Sequence, residues 1–189
     1  MAQGKVRRGI SKAQWLEAAL NRLCEQSIAD ISILGLAKDL GIAKSGFYWH
    51  FKSRDELLDE LLNYWVHEIT EVITDNVEIN ALAPKTRLTK CAEMILELDL
   101  TRYEIGIRQF ALVDDRARRA VMKANKLRQD FIKKAFSDLG ITGEDLDMRT
   151  MLFACYHTWE ASMYPNVARK KRKAMISARV DLLTANVRL

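Results

Sequence analysis

Apolar residues return every three or four positions along nearly the whole of this sequence. That period places them on one face of an α-helix. No segment alternates apolar and polar residues with the β-branched enrichment of a strand. Only two prolines and eight glycines occur in 189 residues, so little interrupts a helix. The spacing therefore predicts an all-α fold. Apolar residues make up 49% of the chain, enough to bury a core and to exclude a disordered or disulfide-stapled scaffold. The longest apolar runs, such as Phe110-Ala111-Leu112-Val113, fall far short of the roughly 20 residues that span a bilayer.

Punctuation divides the pattern. Ser11, Ser32 and Ser53 stand as N-caps before apolar-periodic segments. Gly41 is the expected stop of the second helix. A third, short helix is expected over residues 44–51. The fourth carries Leu57, Leu58, Leu61, Leu62, Trp65, Ile69, Val72 and Ile73 and reaches toward Val77. Pro84 suits the first turn of the next helix. Gly106 is expected to mark a bend, and Gly140 to stop the helix before it. Helices over 144–163 and 168–187 complete the chain.

Charge is unevenly spread. Residues 1–55 carry a net +4, residues 56–165 a net −5 and residues 166–189 a net +6. A basic head on an acidic body suggests that one end meets a polyanion. Lys5, Arg7 and Arg8 form a basic arm that either lies along phosphates or is a solubilising end. The run Arg169-Lys170-Lys171-Arg172-Lys173 reads equally as a solvated face or a functional cluster. Met1 to Gln14 is basic without an apolar stretch behind it, unlike a secretory signal, so a cytoplasmic location is expected. Cys24, Cys91 and Cys155 read as small buried hydrophobes in a reducing compartment.

The most informative stretch is residues 31–58. Two short helices joined by a turn that opens on Gly41 form a helix-turn-helix arrangement. The first is apolar on its inner face and supports the second. The second is too short and polar for a core helix. Lys44, Ser45 and Gly46 permit close approach to a groove floor. Tyr48, Trp49, His50 and Lys52 supply donors and flat rings at the height of phosphates. The competing reading is an aromatic core stripe. Phe47, Tyr48, Trp49 and Phe51 point all round a helix, however, so they cannot share one buried face.

Residues 42–57, Ile42-Ala43-Lys44-Ser45-Gly46-Phe47-Tyr48-Trp49-His50-Phe51-Lys52-Ser53-Arg54-Asp55-Glu56-Leu57, resemble the TetR family of one-component transcriptional repressors, and the resemblance extends over about residues 10–58. It implies a three-helix DNA-binding head over 1–55 and a helical effector-binding and dimerisation body over 56–189. It implies that Tyr48, His50 and Arg54 touch phosphates, that Lys44, Ser45 and Phe47 face base edges or a thymine methyl, and that the Ser32 hydroxyl bonds phosphate. Phe51 would be the buried partner of Ile42 and Leu57. Two positions depart from the pattern. Ala43 replaces the usual Ser or Thr cap, and Gly35 interrupts the second helix.

For the body, the resemblance implies a small-molecule pocket between helices and a homodimer built from the last two long helices. Trp65, Tyr103, Phe110, Phe131 and His157 offer large rings with polar tips, the usual lining of such a pocket. Arg102 and Arg108 either meet an anionic ligand or reach solvent. Met151, Cys155 and Trp159 lie on a helix with more apolar surface than one core face needs. Ile176, Val180, Leu183 and Val187 recur at heptad-like spacing. The expected partners are double-stranded operator DNA, a small-molecule effector and a second copy of the chain, without a membrane.

Enzymatic chemistry finds no support. There is no Gly-rich phosphate loop and no nucleophile elbow. His67 and Glu71 have an i, i+4 spacing that can hold a metal, but no third ligand is placed, so no metal or other cofactor is expected. The alternative reading is a helical small-molecule carrier or protein-interaction protein with a vestigial helix-turn-helix.

Overall fold

The computed structural model describes residues 9–185, which fold into helices with no strand among them. Lys5, Arg7, Arg8 and Val187 lie outside the described residues. The three serines act as caps. Ser11 and Gln14 form a reciprocal capping box at the start of α1 (Lys12–Leu23). Ser32 Oγ accepts from the Gly35 amide at the start of α2 (Ile33–Asp39), and Ser53 Oγ accepts from the Glu56 amide at the start of α3 (Arg54–Val66). Gly41 adopts φ +66°, the left-handed turn that releases the chain from α2.

The segment after that turn is tighter than expected. Lys44–Trp49 is a 3-10 helix rather than an α-helix reaching residue 51. Ala43 gives it no side-chain cap, so its first amides lack the bond that Ser or Thr would supply. Phe47 packs edge-on against Trp15 and stacks on Phe51, which closes the small core between α1, α2 and α3. Gly35 has a local reason. A Cβ there would come 3.3 Å from the Arg22 guanidinium of α1, which pairs with Asp39.

α3 continues without a break through a π-helical turn, His67–Glu71, into α4 (Val72–Thr74). The rod ends at Thr74, short of Val77, which opens the separate turn α5 (Val77–Asn80) under an Asn76 cap. It also crosses the expected division at residue 55, since Leu57, Leu58 and Leu61 belong to one buried cluster with Trp15 and Phe51.

α6 (Pro84–Glu97) starts on Pro84. α7 (Glu104–Ala111) and α8 (Asp115–Ser137) follow, the latter capped by Asp114. Gly106 does not bend the chain. It sits inside α7, where a Cβ would lie 2.2 Å from the Leu23 carbonyl oxygen, so only glycine lets α7 meet the end of α1. α8 is the central strut and packs on α3, α6, α7 and α9 (Gly143–Met163). The expected last helix is divided at Met175 into α10 (Arg169–Ala174) and α11 (Ile176–Leu183).

Burial corrects two expectations. Ile176 and Val180 are only 2% and 1% exposed, and Leu183 is half-buried, because this side of α11 faces α6 inside the same chain. Their spacing is an internal seam. Of the cysteines only Cys91 is buried, while Cys24 and Cys155 are exposed. The basic run is partly spent within the fold: Lys173 pairs with Glu97, and Arg172 with Glu160.

Candidate functional site

The helix-turn-helix presents a polar outer side. Lys44, Ser45 and Lys52 are exposed, and so are the Tyr48 and Trp49 rings, the latter by 88%. Gly46 is half-buried, and a Cβ there would press within 3.2 Å of Ile42. Ser32 Oγ accepts from Gly35, which leaves its hydroxyl proton free to donate outward. Phe47 is fully buried and cannot reach a base edge, so its position is structural. His50 and Arg54 are also committed inward. His50 Nε2 lies 2.7 Å from the Ile10 carbonyl oxygen, and Arg54 Nε donates to the Ile31 carbonyl. His50 thereby holds the chain entering α1, and Arg54 holds the turn before α2. These uses are invisible to sequence reading, because carbonyl partners leave no pattern in side-chain spacing.

A narrow cavity of about 50 Å³ lies between the rod, α6, α8 and α9. Ile69, Thr70, Ile73 and Thr74 line it from the rod, Cys91 and Ile95 from α6, Arg128, Phe131 and Ile132 from α8, and Phe153, Ala154, His157 and Thr158 from α9. Phe131 and His157 are thus on its wall. Trp65, Tyr103 and Phe110 are not. Trp65 is buried behind the wall with the Arg128 guanidinium over its ring. The Tyr103 hydroxyl donates to Asn21 of α1, and Phe110 lines a shallow groove with Leu23 and Ile28. Both rings therefore join head to body. Burial pushes the His157 imidazole down to about 4 and the Cys91 thiol up to about 12.

Beside the cavity, buried Glu104 is shared by Arg128 at 2.7 Å and Arg108 at 3.1 Å. Arg128 also donates to Thr70, while Arg108 donates to Asn125 and lies over the Trp159 ring. Of the two arginines whose role was open, Arg108 belongs to this cluster and Arg102 donates to the Tyr103 hydroxyl. His67 and Glu71 are hydrogen-bonded at 3.2 Å, and Lys123 completes the pair with a cation.

The outer side of α9 is unusual. Met148, Met151, Leu152, Trp159 and Met163 are exposed along it, together with Cys155. On α11, Leu182 is exposed too. A polar ladder rather than an apolar seam docks α11 against α9. Arg179 donates to Tyr156 and Glu160, and Arg149 donates to the carbonyls of Leu183 and Ala185. Spending charges inside leaves apolar side chains outside, an exposed patch of the kind that marks an interface.

Residues 16–61 match the sequence profile of bacterial regulatory proteins of the tetR family. The N-terminal domain is a TetR-family domain. The matched residues take in α1, α2, the 3-10 segment and the first part of α3. No curated protein matches the chain in sequence.

The TetR-like architecture extends to the whole chain. A transcriptional regulator from Rhodococcus sp. Rha1 is 15% identical with a TM-score of 0.71, over 94% of this chain and 96% of its own. A TetR transcription regulator from Haloarcula marismortui ATCC 43049 is 16% identical with a TM-score of 0.65, over 90% and 96%. AibR, solved in complex with isovaleryl coenzyme A and operator DNA, is 19% identical with a TM-score of 0.66, over 92% and 97%. At such identities the likeness is one of fold. No described helix is long and apolar enough to cross a membrane.

Proposed function

We propose that this protein is a homodimeric transcriptional regulator, a cytoplasmic repressor that a small-molecule effector releases from a palindromic operator. The observation that carries the reading is the TetR-family head, whose outer side exposes Lys44, Ser45, Tyr48, Trp49 and Lys52 together. In this reading Lys44 and Ser45 read base edges, and Gly46 lets the backbone approach the groove. Ser32, Tyr48, Trp49 and Lys52 position the head on phosphates. His50 and Arg54 act through the geometry of the head. Residues 1–55 form the DNA-binding unit and 56–189 the effector-binding and dimerisation unit, coupled by the rod that crosses the division.

The cavity between the rod, α8 and α9 is the effector site, and the exposed side of α9 is the dimer face, with Met151, Cys155 and Trp159 at its centre. The complex of AibR with both isovaleryl coenzyme A and operator DNA supports the pairing of a ligand site with a DNA-binding head on one fold. An effector acts only through its different affinity for the DNA-competent and released states. The protein is read as a regulator without enzymatic activity.

Selection from random-sequence duplexes at near-physiological salt tests this reading. The expected product is a palindrome bound with steep salt dependence. Tyr48→Phe is expected to weaken all sequences alike and leave the salt slope unchanged, because it removes a neutral donor, whereas Lys44→Ala relaxes the preference at particular positions. Recovery of no DNA in the presence or absence of effector candidates would favour the carrier reading instead.

A further inference from the structure

His157 carries a buried acceptor that nothing in the described residues satisfies. Its Nδ1 lies 2.9 Å from the Phe153 carbonyl oxygen, which can only accept, so Nδ1 holds the proton. Nε2 is then a bare lone pair. It is buried without a hydrogen-bond partner among the described residues, on a side chain only 5% exposed. The Phe153 ring, 4.1 Å from the imidazole centroid to centroid, fixes its orientation. The imidazole is part of the cavity wall, which combines apolar Ile, Leu and Phe side chains with Thr70, Thr74, Thr101 and Thr158.

We propose that the cavity takes a small, mainly apolar ligand that presents one neutral hydrogen-bond donor, an alcohol hydroxyl, to His157 Nε2. The proposal rests on the reading of this cavity as the effector site. Arg128 on the same wall does not select an anion. Its charge is met by Glu104 and its Nε by Thr70. The surplus positive charge of that trio falls on Arg108, which is partly solvated outside the cavity. Water competes for the Nε2 lone pair, and the ligand prevails by adding the burial of its apolar part. The space of about 50 Å³ is well below the roughly 150 Å³ of a cavity that holds benzene, so the ligand is short or spreads the helices as it enters.

Pentan-1-ol and 1-methoxybutane are isomers, and only the alcohol donates. Calorimetric titration of the full-length protein with these two and with pentanoate is the test. The expected result is about tenfold tighter binding of the alcohol than of the ether, and a ratio near one in His157→Phe. In the wild-type protein the alcohol, and not the ether, should shift the ¹⁵N resonance of His157 Nε2, which covers the case of a misfolded variant. Equal binding of the isomers, tighter binding of pentanoate, or binding of none of the three would overturn the donor requirement. Alcohol binding at His157 that leaves operator affinity unchanged would uphold that requirement and overturn the effector reading.

Discussion

His157 is neutral in the fold mainly because burial removes the water that would solvate its charge. Arg179 disfavours the proton further, while the Phe153 carbonyl and Glu160 favour it. The native imidazole titrates at about 4 against 6.5 when unfolded. Above pH 6.5 neither state binds the proton. As pH falls from 6.5 to 4 the unfolded chain takes it up first, so stability declines by about 3 kcal/mol and then levels off. Denaturant unfolding across that window should show this slope, and His157→Phe should flatten it. Asp114, held at about 2 by Arg116, loses its contribution only at lower pH, so the two effects separate. At this scale the sequence was a fair guide to which residues matter and a poor one to how. It drew attention to His157 and Phe131, but ring size alone cannot tell cavity wall from core, and Trp65 and Phe110 fell on the wrong side of that line.

Helix boundaries were far more legible. Capping is local chemistry, and the serines, Pro84 and Gly41 each act within a few residues of themselves. What escaped was the internal geometry of elements. The π turn over His67–Glu71 and the 3-10 form of Lys44–Trp49 depend on tertiary packing that periodicity does not encode. The absent cap at Ala43 was visible from sequence, and it yields a direct test. Ala43→Ser should restore a side-chain acceptor to the first turn of the 3-10 segment and stabilise the protein by about 1 kcal/mol in chemical denaturation.

On the scale of the whole molecule, the all-α architecture followed from periodicity, but the assembly surface did not. The heptad-like spacing of Ile176 and Val180 matched a dimer seam, yet those residues fill the chain's own interior. The outward surface of α9 was recognisable only as an excess of apolar residues, because the ladder from Arg149 and Arg179 that frees it looks in sequence like ordinary solvated charge. Met151→Glu places a charge at the centre of this surface, where the wild-type side chain is 64% exposed in the single chain. The expected outcome is a folded monomer in sedimentation velocity, with unchanged helical content and lost affinity for a palindrome.

The unbroken rod from Arg54 to Thr74 has a mechanical consequence. Its twenty-one residues span about 30 Å at 1.5 Å each. One end carries the head through Arg54, and the other forms a wall of the cavity. This is a lever pivoted at the ligand end. A tilt of about 5° about the cavity end would carry the head about 2.5 Å, or about 5 Å between two heads that must span the roughly 34–36 Å from one major groove to the next. A small rotation imposed at the cavity wall would thus reach the DNA as a change in the spacing of the heads.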